Sequence, residues 1–123
     1  MYNVVSYETP AGNCPIDKFI GDLIRQHKDE ALTKFKAIIE GLKEFGLEKI
    51  NTRFNNACKF LRDGIYELRP KPNRILFFSP IGNTYVLLHA FEKKCNQTPP
   101  EEIRLAIKEK NEYLNKGKQK WKN

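Results

Sequence analysis

A chain of 123 residues, 40% hydrophobic and 30% charged, has room for one globular domain with a single main core. Its 22 Lys and Arg against 15 Asp and Glu leave a net charge of +7, which favours polyanionic partners, nucleic acid first, or an acidic protein. No apolar run approaches the ~20 residues of a membrane span, the opening residues lack the basic and apolar regions of a signal peptide, and 3 widely spaced cysteines with 2 histidines fit neither a disulfide framework nor a zinc site, so a cytoplasmic protein without metal or small-molecule cofactor is expected.

Taken in chain order, Asn3-Val-Val-Ser-Tyr7 reads as a short opening strand, followed by a polar turn through Thr9–Asn13. Pro15 suits the first position of a helix whose Ile16, Phe19, Ile20, Leu23 and Ile24 recur at helical spacing. A second helix begins after Lys28-Asp29, carries Leu32, Phe35, Ile38, Ile39, Leu42 and Phe45 on one stripe, and is expected to stop at Gly46. From Leu47 to Ala57 no period is evident, which predicts a loop, and a short strand is expected near Cys58–Leu61. After the hairpins treated next, Thr98-Pro-Pro-Glu101 has the spacing of a capping box with proline at the first helical position, and Ile103, Ala106, Ile107 and Leu114 continue a helical stripe. The domain is expected to close near residue 115, leaving 116–123 as a basic, disordered tail. The order predicts an α+β fold, an antiparallel meander of three to four strands plus an N-terminal strand, with two N-terminal helices on one face and a C-terminal helix.

Most of the functional information lies in Gly64-Ile-Tyr-Glu-Leu-Arg69, Arg74-Ile-Leu-Phe-Phe78 and Tyr85-Val-Leu-Leu-His-Ala-Phe-Glu-Lys-Lys94. Pro70–Asn73 and Pro80–Asn83 have turn composition, and two four-residue turns would place Arg69 opposite Arg74, Ser79 opposite Thr84 and Arg74 opposite His89. Three basic-capable side chains would then form one row, with Phe91 and Lys93 further along the same face. Opposed like charges about 5 Å apart destabilise a sheet, so an anion between them is expected; the alternative is solvated arginine beside a turn. The other face, with Tyr66, Leu68, Ile75, Phe77, Val86 and Leu88, should rest on helices and leave the basic face free for a ligand.

No Ser-His-Asp or Cys-His constellation and no glycine-rich phosphate loop can be argued. A basic sheet edged with aromatics can still bind phosphate through arginine and lysine and stack bases on Phe91 or Tyr85. Phosphoryl transfer needs mainly positioning and charge neutralisation, so such a cluster can cleave RNA, whose 2′-hydroxyl is a built-in nucleophile.

The stretch Asp63–Arg69, Arg74–Phe78, Val86–Lys94 and Gln97–Ile103, together with Tyr7-Glu-Thr-Pro-Ala-Gly and Pro15-Ile-Asp-Lys-Phe19, closely resembles the phage-derived, HigB-like branch of the RelE/ParE toxin superfamily. The resemblance covers about residues 2 to 115. It implies a RelE-like fold and a type II toxin that cleaves mRNA in the ribosomal A site, the 2′-hydroxyl attacking the adjacent phosphate. It also implies a cognate antitoxin, expected to be a helix-turn-helix protein. By the same resemblance Arg74 matches the arginine that contacts the scissile phosphate, Arg69 the arginine of a Glu-Leu-Arg element, and Lys93-Lys94 the basic pair ending the last strand, of which alternation lets one face the site. His89 matches a family histidine that is either an acid/base or structural. Lys59, Arg62 and Lys71 are further candidate nucleic-acid contacts. The chain departs from the pattern in its Pro-Lys-Pro-Asn loop and in Cys95. A non-enzymatic ParE-like gyrase inhibitor and a basic RNA-binding protein are the alternatives, because fold alone does not secure activity.

Overall fold

The computed structural model describes the backbone of residues 1–122 and the side chains of residues 1–116. Strand β1 (Asn3–Ser6) leads to helices α1 (Pro15–Arg25) and α2 (Asp29–Arg53), then to strands β2 (Cys58–Arg62), β3 (Ile65–Leu68), β4 (Asn73–Ile81) and β5 (Thr84–Glu92), and last to α3 (Pro100–Lys122). The mixed α+β architecture matches the expected order, with β2 to β5 as the meander and β1 parallel to β5 at the far edge. No helix among the described residues is long and apolar enough to cross a membrane.

Helix α1 opens on Pro15, whose missing N–H costs nothing there, and sends Ile16 and Leu23 into the core. Helix α2 buries Phe35, Ile38 and Leu42, then breaks at Gly46, with φ 72° and ψ 179°, backbone angles that are essentially reserved for glycine. The predicted stop is thus a real break, but the predicted loop is not: the chain resumes a helix to Arg53. Its periodicity escapes a sequence reading because the resumed segment is short and only Ile50 is fully buried, with Leu47 packed at the margin. The Leu47 N–H is satisfied by the Tyr85 hydroxyl at 3.0 Å.

The β3–β4 register pairs Leu68 with Ile75 and Tyr66 with Phe77, so Arg69, one residue beyond β3, continues the ladder opposite Arg74 as expected. The second hairpin differs. Strand β4 runs through Pro80 to Ile81, which pairs with Thr84, leaving only Gly82-Asn83 as the turn. Proline cannot donate to a ladder, and the pairing is interrupted where Pro80 sits, with a second shift between Leu76 and Phe77. Arg74 therefore lies opposite Phe91, and His89 opposite Leu76. The displacement is even, so Arg74 and His89 keep the same face.

Both faces are covered. Ile16, Leu23, Phe35, Ile38, Leu42 and Ile50 pack on Leu68, Ile75, Phe77, Tyr85 and Leu87. On the other side Ala106, with Ile107 and Tyr113, packs on Ile65, Leu76, Phe78, Val86 and Leu88. The expectation of an open basic face is corrected here, since α3 lies on it. Val86 and Leu88 likewise belong to the α3 side, because the bulge shifts the alternation of β5. The basic stretch 116–123 falls on the end of α3 and past it, and from residue 117 its side chains lie outside the described residues.

Gly46→Ala is expected to destabilise the fold by about 2–4 kcal/mol, combining backbone strain of about 1–3 kcal/mol with overlap against the Tyr2 ring. Urea unfolding at constant m-value measures this; an unchanged midpoint would mean that the break at Gly46 is not a feature of the folded chain.

Candidate functional site

On the α3 side the register lines up Lys59, Glu67, Leu76 and His89 across four strands, with Arg69, Arg74 and Phe91 in the next row. Glu67 is fully buried. Its Oε1 accepts from Arg69 Nε at 3.0 Å and from Arg74 Nη1, while Oε2 accepts from the Thr98 hydroxyl just before α3. A carboxylate this deep costs several kcal/mol unless both oxygens are satisfied, and here they are. The chain itself places an anion between the two arginines. One positive charge remains, and Arg74, only 5% exposed, keeps an Nε–H with no partner among the described residues. Arg69 is the more accessible guanidinium, its side chain 18% exposed.

His89 is the second centre. Its Nδ1 lies 2.6 Å from Glu109 Oε1 and its Nε2 3.0 Å from Glu102 Oε1, both carboxylates projecting from α3. A neutral imidazole has one N–H and can donate to only one of them; the imidazolium satisfies both. Burial pulls the ring's pKa down, but hydrogen bonding and charge from Glu109, with charge and hydrogen bonding from Glu102, outweigh it and leave the pKa above its ordinary value. Beside them Tyr7 donates to Glu112 at 3.2 Å, and its phenol is pushed up to about 12 by burial first and by Glu112 second. Burial also holds the Cys58 thiol up at about 12, so it is not a nucleophile at neutral pH.

The other sequence candidates divide. Phe91 is half-buried against His89, their rings 6.1 Å apart. The Lys93 N–H reaches the Pro72 carbonyl at 2.9 Å, so the end of β5 lies beside the Pro70–Asn73 turn; Lys93 is half-buried and Lys94 exposed. Lys59 is exposed in the Glu67 row, Arg62 is exposed and paired with Asp63 at 2.7 Å, and Lys71 lines an open notch with His27, Lys28 and Lys34 on the α2 side. Tyr85 is a correction. It is 3% exposed, packed in the α1–α2 core against Tyr2 and Phe77 and bonded to Leu47, so it offers no face to a base.

Sequence reasoning missed Glu67, Glu102 and Glu109. The signal existed for Glu67, two residues from Arg69 and hence on its face. It existed also for Glu102 and Glu109, which flank the buried Ala106 at helical spacing and sit where a core stripe would be.

The meander, the order of elements and the Arg–Glu–His face define the class in structural terms. A family model, described as phage derived protein Gp49-like (DUF891), matches residues 22–111, and the chain belongs to that family, one associated with RelE/HigB-like toxin–antitoxin toxins. No curated protein matches the chain.

The folded-state pKa of His89 lies above 6.5, so its contribution to stability is full below about pH 6 and is lost as pH rises through the folded value. Wild type should therefore exceed His89→Gln in unfolding free energy most at pH 5–6, and the gap should narrow toward pH 9. Chemical denaturation across that range tests it, and a constant gap would show that His89 is not charged in the fold.

Proposed function

We propose that the chain is the toxin of a type II toxin–antitoxin module and cleaves messenger RNA on the ribosome. The observation that carries this reading is the gathering of Arg69, Arg74 and His89 on one face of the sheet, in a chain of a family associated with such toxins. Arg69 and Arg74 would neutralise charge on the phosphate, Lys93 and Lys94 would add field, and Phe91 would stack on a base. The RNA 2′-hydroxyl attacks the neighbouring phosphorus, its proton passing to solvent water. The O2′–P bond forms, the P–O5′ bond breaks, and protonated His89 gives its Nε2 proton to the leaving O5′. The products are a 2′,3′-cyclic phosphate and a free 5′-hydroxyl. Lys59, Arg62 and Lys71 would hold flanking backbone as point charges. The cognate antitoxin is the expected protein partner.

One observation favours a non-enzymatic reading: Arg74 and His89 are almost wholly covered, behind Glu67 and the α3 carboxylates. Induced expression in cells separates the two. Messages truncated within codons and bearing cyclic phosphate ends support cleavage; broken DNA with intact messages would replace it with gyrase inhibition, and neither, with normal growth, would leave an RNA-binding protein.

Because Arg74 is buried in an ion pair with Glu67, Arg74→Ala is expected to cost about 3–5 kcal/mol of stability and is a poor test of chemistry. Arg74→Lys keeps the buried cation but loses the planar fork, so cleavage of ribosome-bound message should fall at least about tenfold while most of the stability is kept. A folded Arg74→Lys protein cleaving at the wild-type rate would remove Arg74 from the reaction.

A further inference from the structure

The two carboxylates on His89 are not equivalent. Glu109 is buried at 5% exposure and bonds Nδ1, on the inner side of the ring. Glu102, in the first turn of α3, has a side chain 28% exposed and meets Nε2 at the rim. Buried on one nitrogen and reachable on the other, the imidazole is held with a single N–H directed to where a ligand can arrive. We propose that Glu109 is the positioning residue of His89, fixing the ring through Nδ1 so that Nε2 delivers its proton outward, and that the Glu102 carboxylate stands where an oxygen of the scissile phosphate binds. The inference rests on the cleavage reading above.

Three features support it. The pairing of both ring nitrogens with carboxylates requires the imidazolium, the state an acid must have before reaction. The Oε1 of Glu102 accepts from Nε2 just as a phosphate oxygen would, and its greater exposure makes it the carboxylate that can swing away. The other ionisable groups the register places on this face do not compete for the ring: Arg74 lies diagonally across β4 and is held with Arg69 by Glu67, Glu67 lies beyond Leu76 and Lys59 beyond Glu67, and Tyr7 is bonded to Glu112.

The test uses the full chain with Glu109→Gln, Glu102→Gln and Glu109→Asp. The chain has 2 histidines, so ring NMR resonances of His89 and His27 are assigned with His27→Gln and each variant's titration is read directly. Glu109→Gln should lower the His89 midpoint by about one pH unit or more and carry the alkaline limb of the cleavage pH–rate profile down by the same amount, a loss of roughly tenfold above both midpoints. Glu109→Asp should restore part of both shifts, which a merely structural role for Glu109 would not produce. Glu102→Gln should lower KM for ribosome-bound message severalfold and, because Glu102 also holds the ring's pKa up, move the His89 midpoint of the free protein down by less than Glu109→Gln does.

A His89 midpoint unmoved in folded Glu109→Gln, or a rate limb that does not follow it, overturns the positioning role, and an unchanged or raised KM in Glu102→Gln overturns the phosphate place. If wild type cleaves nothing, the cleavage reading fails, and the proposal, which assigns a proton to that reaction, falls with it; the NMR midpoints would then still report whether Glu109 holds the ring. Should Glu109→Gln not fold, Glu109→Asp alone decides: a midpoint and limb lowered together support the role, and a lowered limb over an unmoved midpoint overturns it.

Discussion

The buried carboxylate of Glu67 is the interaction on which the rest of this face depends. Arg69 and Arg74 continue neighbouring strands in register, where like charges about 5 Å apart would push the hairpin open. A single carboxylate accepting from both turns the repulsion into an ion pair and draws Thr98, and with it the start of α3, onto the same point. Its desolvation cost is large, and pairs of this kind contribute little net stability over apolar residues of the same shape. What Glu67 supplies is arrangement: it fixes which way two guanidinium forks lie and where α3 begins.

The two layers on the sheet are therefore held by different physics. The α1–α2 layer is apolar, with Phe35, Leu42 and Ile50 fully buried against Ile75, Phe77 and Leu87. The α3 layer has a smaller apolar contact around Ala106 and relies on Glu102 and Glu109 at His89, Glu112 at Tyr7 and Lys110 at the Asp63 carbonyl. Apolar burial is nearly indifferent to pH between 5 and 9, whereas charge-assisted hydrogen bonds on an imidazolium are not. Loosening with rising pH should be local to α3.

Much of this was legible in the chain. Pro15, the 3.6-residue stripes, the turn residues and Thr98-Pro-Pro-Glu101 point to the elements and their order, because each states a local backbone requirement. Gly46 marks the break in α2, but the seven residues after it are too few to show a period, so their helix is decided by the pocket that takes Ile50. Arg69 opposite Arg74 is legible because the first turn is regular. The true partner of Arg74, Phe91 and not His89, is hidden because β4 runs on through Pro80, a residue that reads as turn: the hairpin closes in the two residues Gly82-Asn83 and moves β5 by two, while the two register shifts along β4 cancel. The carboxylates of the site are harder to read for a different reason: a glutamate in a strand or helix is normally solvent-facing, so the face that Glu67 shares with Arg69 and the spacing of Glu102 and Glu109 about Ala106 become informative only when packing buries them.

Charge balance shows what a ligand must change. Arg69, Arg74 and protonated His89 are joined by hydrogen bonds to Glu67, Glu102 and Glu109, so the cluster as it stands is close to neutral although the whole chain carries +7. The net charge can steer a polyanion toward the protein, but near the cluster itself little field remains to hold a phosphate. Binding an anion there requires a carboxylate to give way. Glu67 is fully buried and shared by three donors, and Glu109 is buried behind the ring, so displacing either strands a charge in low dielectric. Glu102, which has water on one side, is displaced at least cost. Its departure leaves three cations facing two carboxylates, with the Nε2–H of His89 uncovered.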